Sequence, residues 1–162
     1  LYRLKVDKIK KMMPDACIGA DVIVGFPGES DEAFKESFRF IQELPVDYLH
    51  VFTYSERTNT PAAEMSEVVP MEKRKERNNM LTILSEKKKR AFYERFMGEE
   101  RLVLFEKSGE EGYLSGFTDN YIKIKVSSQE NLVNKMALVS LEEISPTSIE
   151  MKAKVASLAK VN

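Results

Sequence analysis

The spacing of apolar residues changes character three times along the chain. Tyr2, Val6, Ile9 and Met13 recur at helical intervals, with Lys5, Lys8, Lys10 and Lys11 between them mostly toward water. Pro14-Asp15 stops that helix and starts a turn. Residues 18–26 are then apolar almost without interruption, which predicts a buried strand of a parallel sheet covered on both faces. Ser30 follows as a helix N-cap, with Asp31 and Glu32 where the helix dipole favours negative charge. Ala33, Phe34, Phe38, Ile41 and Leu44 mark the buried stripe of that helix, and Pro45 ends it. Residues 48–54, rich in aromatic and β-branched side chains, read as a second strand. Strand, helix and strand together predict one right-handed βαβ unit.

Residues 55–69 form a polar, loop-like stretch around Thr60-Pro61, and Pro70 opens the longest predicted helix, residues 71–97. Leu81, Leu84, Phe92 and Phe96 supply its stripe, Lys88 lays its aliphatic stem along it, and Gly98 is the candidate C-cap. Beyond Gly98 the period shortens. Residues 101–106, 112–118, 121–126 and 135–141 are short segments joined by Ser108-Gly-Glu-Glu111, Thr118-Asp-Asn120 and Ser127-Ser-Gln-Glu-Asn131, the pattern of a small antiparallel barrel or sandwich. Within the third segment Tyr121, Lys123 and Lys125 share one face, while Ile122, Ile124 and Val126 share the other. Residues 147–162 read as a flexible or weakly helical tail. The chain thus divides into an α/β portion over 1–97, a β-barrel over 98–146 and the tail.

Composition narrows this picture. A chain of 162 residues has room for one full domain or two small ones, and a net charge of −1 removes any bulk pull toward nucleic acid or a membrane. Positive charge is concentrated in residues 71–97, which carry nine basic and four acidic side chains. The helical step spreads Lys87–Arg90 around the axis, so that run reads as a solvated face. Cys17 is the sole cysteine, which leaves no disulfide framework and no thiolate metal cluster; a reducing, cytoplasmic setting is expected. No apolar run reaches membrane-spanning length, and no signal peptide is seen. Two parallel strands cannot cover both their faces, and the chain opens at Leu1. The α/β portion is therefore expected to be part of a larger sheet, with unpaired edges that favour self-association.

The candidate chemistry lies where the first strand empties into Gly25-Phe-Pro-Gly28, because ligands gather at the carboxyl ends of strands in α/β sheets. Ile23 and Gly25 read equally well as core plus turn or as a ligand-facing wall. His50, Phe52 and Tyr54 share a strand face. A lone histidine is ordinarily a structural group, so Tyr54, at the strand's carboxyl end, is the stronger candidate. Arg57, in the loop beyond, offers a planar fork suited to a carboxylate or phosphate.

Three stretches, Asp21-Val-Ile-Val-Gly-Phe-Pro-Gly-Glu-Ser30, His50-Val-Phe-Thr-Tyr-Ser-Glu-Arg-Thr-Asn-Thr-Pro-Ala-Ala63 and Val69-Pro-Met-Glu-Lys-Arg-Lys-Glu-Arg77, resemble in order and spacing the radical-SAM methylthiotransferases. Gly112-Tyr-Leu-Ser-Gly-Phe-Thr-Asp-Asn-Tyr-Ile-Lys-Ile-Lys-Val126 resembles the TRAM domain at the C-terminus of those enzymes. The resemblance implies a partial radical-SAM barrel, βαβ plus long helix, followed by an OB-like TRAM barrel that contacts RNA. It implies methylthio transfer to adenine with SAM and two 4Fe–4S clusters. Ile23, Gly25, Phe52 and Tyr54 would form the cofactor wall, and Arg57, Tyr121, Lys123 and Lys125 would touch substrate or RNA. Leu49-His-Val-Phe52, Arg57 and Asn120-Tyr-Ile-Lys123 are most similar to the branch that modifies threonylcarbamoyladenosine beside the tRNA anticodon. Other branches act on isopentenyladenosine in tRNA and on a ribosomal protein aspartate.

The chain departs from the family pattern at Asp21 and Asn59, where glycine is usual, and above all in lacking the cluster cysteines. No catalytic residue, metal ligand or bound cofactor is therefore expected in this chain alone. Its expected partners are tRNA, the missing N-terminal domain and the missing first part of the barrel. The alternative expectation is an RNA-binding or scaffolding module without chemistry.

Overall fold

The computed structural model describes residues 1–107, 110–127 and 132–158, in two compact units that divide between Lys88 and Lys89. The first contains α1 (Tyr2–Met12), β1 (Gly19–Val24), α2 (Asp31–Glu43), β2 (Tyr48–Thr53), a 3-10 turn (Pro61–Glu64) and most of α3 (Met71–Glu94). β1 and β2 pair in parallel, with Asp21 opposite His50 and Ile23 opposite Phe52. The core lies on one face of this sheet, where Val24 and Leu49 meet Phe34 of α2, Leu44 just beyond its end, Leu81 and Leu84 of α3, Val46 and Val6.

Local polar contacts fix this arrangement. The Ser30 hydroxyl accepts the Ala33 N–H at 3.1 Å and caps α2, as its position predicts. Lys88 donates to the Gln42 and Leu44 carbonyls at the other end of α2, at 3.0 and 2.7 Å. Burial lowers its ammonium pKa, opposed by the nearby Asp47 charge. Asp47 is buried and accepts the Ile18 N–H at 2.6 Å and Lys10 at 2.5 Å. Lys10 is thus a structural cation rather than one of the wet faces of α1. Of the expected α1 stripe only Val6 is buried; Tyr2, Ile9 and Met13 stay exposed.

The two edges of the sheet differ. On α3, the Ser85 hydroxyl accepts the Leu49 N–H at 2.8 Å and donates to the Leu49 carbonyl at 3.0 Å. Asn78 donates to the Val51 carbonyl at 3.4 Å. Helix side chains therefore occupy the outer edge of β2, which is one of the ways proteins blunt an edge strand. β1 has no strand partner beyond β2 among the described residues.

The second unit is a closed barrel of β3 (Glu100–Lys107), β4 (Tyr113–Thr118), β5 (Lys123–Ser127), β6 (Met136–Ile144) and β7 (Met151–Leu158), in the order β3-β4-β5-β7-β6. Four strands match the expected segments to within three residues at each end. The fifth overturns the reading of residues 147–162 as a weakly helical tail. Met151 and Ala153 point inward and Lys152 and Lys154 outward, a period of two that makes β7 the strand closing the barrel. β7 runs antiparallel to β6 but parallel to β5, so the barrel is not wholly antiparallel. Residues 108–109, 128–131 and 159–162, within the expected turns and tail, lie outside the described residues.

The division also falls earlier than Gly98. Phe92, Tyr93 and Phe96 are buried, the Tyr93 hydroxyl accepts the Lys123 N–H at 2.9 Å, and the Arg101 guanidinium sits 4.8 Å from the Phe96 ring. The last turn of α3 thus belongs with the barrel. Gly98 takes a left-handed φ of 84° beyond the helix end.

Candidate functional site

Residues 18–26 are not covered on both faces. β1 and β2 alternate in register, so that Asp21 and Ile23 from one strand and His50 and Phe52 from the other share a face open to solvent. Ile23 is 59% and Phe52 52% exposed, high values for apolar residues in the centre of a parallel pair. The His50 ring lies edge-on to Tyr48 at 5.0 Å, on the same face. The missing Cβ of Gly19 explains how Tyr48 lies across the sheet: an added Cβ would come within 2.4 Å of its ring. Beside β1, a cleft of about 300 Å³ is lined by Tyr2, Asp21, Ile23, Phe34 and Phe40.

The turn at the end of β1 is held by two buried arginines on α3. Gly25 has φ 77°, its N–H is accepted by Glu29 Oε2 at 2.7 Å, and a Cβ there would meet the Arg74 stem at 2.4 Å. The absent side chain makes room for Arg74, which gives Gly25 a packing reason independent of any ligand. Arg74 is 2% exposed and donates to the carbonyls of Val69 (2.7 Å) and Tyr54 (3.0 Å) and to Glu56 Oε1 (2.5 Å). Arg77 is 4% exposed and donates to Glu29 Oε2 (2.6 Å), the Glu29 carbonyl (2.9 Å) and Asp31 Oδ1 (2.8 Å). Lys73 also reaches Asp31, at 2.5 Å. Hydrogen bonds from Lys73 and Arg77 hold the Asp31 carboxyl below its ordinary pKa, and Arg74 does the same for Glu56.

Arg74 and Arg77 are visible in the sequence only as part of a charge-rich helix, where solvation is the default reading. The signal that could identify them lies elsewhere: the first 70 residues hold twelve acidic but only eight basic side chains.

The other expected site residues are scattered. Tyr54 lies past the end of β2; its ring packs at 5.2 Å against Phe26 and under the Arg74 guanidinium at 5.4 Å. Its hydroxyl is buried without a hydrogen-bond partner among the described residues. Tyr54 is half-buried, whereas His50 and Phe52 are exposed. Arg57 is exposed in the following loop, where its carbonyl accepts the Thr60 hydroxyl at 2.8 Å. Asn59 has φ 63°, a left-handed turn that asparagine tolerates.

In the barrel, Tyr121 is not a strand residue. It sits in the β4–β5 turn at φ 70°, while Lys123 and Lys125 lie on β5. Lys123 pairs with Glu150 at 2.5 Å, and Lys125 bonds Glu110 with its ammonium 4.4 Å from the Tyr113 ring. The Glu110 bond raises the Lys125 pKa, so both cations are already partly balanced by acids. The structure therefore does not combine Tyr121, Lys123 and Lys125 into one free cationic strand face. Among the described residues no group of three or more potential ligands could hold a metal ion, and no helix is long and apolar enough to cross a membrane.

No protein-family model matches the chain. Comparison with curated proteins finds threonylcarbamoyladenosine tRNA methylthiotransferases (MtaB) of Bacillus subtilis, 36% identical over 141 residues, and of Aquifex aeolicus, 41% identical over 124 residues. These alignments cover 85% and 76% of this chain but 31% and 29% of the relatives. The tRNA-2-methylthio-N(6)-dimethylallyladenosine synthase of Bacillus velezensis is 34% identical over 153 residues, covering 92% of this chain and 30% of its own. The chain thus spans about a third of the length of the curated relatives it matches. Among solved structures, a protein of vaccinia virus (Wisconsin strain) aligns over 41% of this chain and 94% of its own at a TM-score of 0.33 and 10% identity, too slight a likeness to carry an argument.

Proposed function

Because this chain belongs to the methylthiotransferase family, we propose that it is a segment of a radical-SAM enzyme that adds a methylthio group to threonylcarbamoyladenosine beside the tRNA anticodon. Residues 1–88 serve as the last part of a radical-SAM barrel and residues 89–158 as an OB-like TRAM barrel that contacts tRNA. The observation that carries the reading is the asymmetry of the β1–β2 sheet. Ser85 and Asn78 of α3 occupy the edge of β2, whereas β1 and the Ile23–Phe52 face remain open. A barrel completed by earlier strands on the β1 side turns that face inward. This accounts for apolar side chains that water otherwise wets.

The residues fit one implied cofactor and not the other. Exposed Ile23 and Phe52 offer an apolar surface at the carboxyl end of two parallel strands, suited to one face of an adenine ring. Gly25 and Tyr54 support this wall from behind through Arg74. SAM bound there supplies the methyl group and the radical precursor of the family's chemistry. An iron–sulfur cluster does not fit: its ligation needs several thiolates, and Cys17 is the only cysteine. On this reading the chain by itself is inactive, and the cluster ligands come from outside residues 1–162.

The test is nucleoside mass spectrometry of tRNA after deletion of the gene that encodes this chain. Loss of methylthio-threonylcarbamoyladenosine, restored by the whole gene and not by residues 1–162 alone, is expected. Persistence of that nucleoside refutes the branch assignment, and loss of the isopentenyladenosine product instead assigns the other tRNA branch. A second reading, an RNA-binding or scaffolding module without chemistry, is favoured by the closed barrel and the lone cysteine. Normal methylthio-nucleosides in the deletion strain, combined with salt-dependent tRNA binding, would establish it.

A further inference from the structure

The β4–β5 turn contains a backbone conformation that its sequence does not favour. Three non-glycine residues among those described have positive φ: Asn59, Tyr121 and Asn134. Asparagine tolerates the left-handed region; a bulky aromatic residue there is an outlier. In Thr118-Asp-Asn-Tyr-Ile122 a tolerant asparagine stands one position too early, and Tyr121 takes φ 70°.

The turn enforces this placement. The Thr118 N–H bonds the Ile122 carbonyl at 3.0 Å, the Tyr121 N–H bonds the Thr118 carbonyl at 3.0 Å, and the Ile122 N–H bonds the Thr118 hydroxyl at 2.8 Å. Thr118 and Asn120 are buried and bonded to each other at 2.6 Å, which leaves Asn120 Nδ2 buried without a partner among the described residues. Strain and an unmet donor in one short turn call for a reason outside the packing of the turn itself.

The ring shows what the strain achieves. Tyr121 stacks on Phe117, centroids 4.8 Å apart and planes 23° apart, yet remains 59% exposed. Burial does not explain a ring so exposed, and its hydroxyl forms no hydrogen bond among the described residues. The arrangement is a flat aromatic pair, rigid below and wet above. The neighbouring cations are already paired, Lys123 with Glu150 and Arg101 with Asp119 (3.7 Å), so the turn is not a phosphate clamp.

The geometry points to a stacking platform: the exposed Tyr121 ring, backed by Phe117, receives one unpaired nucleobase of tRNA. This rests on the reading of the barrel as an RNA-contacting module and assigns that contact to one residue and one kind of interaction. Stacking is indifferent to which base arrives, since each has a π-face.

The test compares Tyr121→Asn, Tyr121→Gly and Tyr121→Phe in the full-length protein, with tRNA dissociation constants measured across a salt series and melting followed alongside. Tyr121→Asn and Tyr121→Gly relieve the turn, so their melting temperatures are expected to equal or exceed that of the unaltered protein. Both are expected to bind tRNA about five- to a hundred-fold more weakly, the range of one stacked base, with an unchanged salt slope because no phosphate contact is lost. Tyr121→Phe keeps the ring and is expected to bind within about twofold of the unaltered protein. Unchanged binding by the ringless variants overturns the platform while leaving the tRNA reading intact. Equal weakening by Tyr121→Phe overturns it in favour of the hydroxyl. Lower melting temperatures in both ringless variants overturn the strain on which it is built. If the unaltered protein binds no tRNA at any salt concentration, the platform and the RNA reading of the barrel fail together.

Discussion

Arg77→Met tests whether the turn after β1 is held by charge. Arg77 is 4% exposed and its chief partner, Glu29, keeps only 16% of its side chain in water. Removing one member of such a pair typically costs about 3–5 kcal/mol, because the remaining charge is stranded. Glu29 retains the Gly25 N–H at 2.7 Å, which places the expectation near the lower end, about 3 kcal/mol. The bond to Asp31, half in water, adds nothing to that figure. Methionine preserves much of the packing over Phe34, so the loss is mainly electrostatic. The assay is urea unfolding combined with hydrogen exchange of residues 19–31, which reports opening of this turn separately from the barrel. Glu29→Gln and the double variant complete a cycle whose coupling is expected to exceed about 1 kcal/mol. A loss below about 1 kcal/mol for Arg77→Met, or additivity within about 0.5 kcal/mol, refutes the reasoning.

Three further outcomes follow from other contacts. Ser85→Ala strands the Leu49 N–H and carbonyl, so a loss of about 1–3 kcal/mol and faster exchange of the Leu49 amide are expected; unchanged exchange would show that water replaces the hydroxyl. Asp31, Glu56 and Glu150 have folded pKa values below their ordinary ones, so their contribution is fully present above the unfolded values and disappears as pH falls through the folded values. Melting temperature should therefore fall below about pH 4, and the fall should be shallower in Arg74→Met; identical acid limbs would contradict this assignment. Residues 1–162 in isolation should self-associate through the β1 edge, and sedimentation as a clean monomer with protected β1 amides would refute that.

Much of this is legible from spacing. The βαβ unit, the Ser30 cap and four barrel strands follow from periods of 3.6 and 2 and from turn residues, which act locally. β7 escapes such a reading although Met151-Lys-Ala-Lys-Val155 alternates, because its alanine, methionine and lysines suit helices as well as strands. The continuous apolar run in β1 predicts burial on both faces, but only the Ala20, Val22 and Val24 face meets this chain's core. Composition cannot say whether an apolar side chain is covered by its own segment or by another. Arg74 and Arg77 are unreadable for a related reason: their acids lie 18 to 48 positions away, and only the fold brings them together. Tyr121 looks like a strand residue because alternation continues through it; hydrogen bonding by Thr118 turns the chain first.

The Ser85 clasp has a consequence for synthesis. Leu49 waits 36 residues for the hydroxyl that satisfies its edge. At elongation rates of about 5–20 residues per second, β2 leaves the ribosome roughly 2–7 seconds before its cover does. During that interval an aromatic, β-branched strand presents unpaired backbone to any nearby nascent chain. Slow translation through the basic stretch of α3 would prolong the hazard, so codon usage there bears on yield as much as stability does.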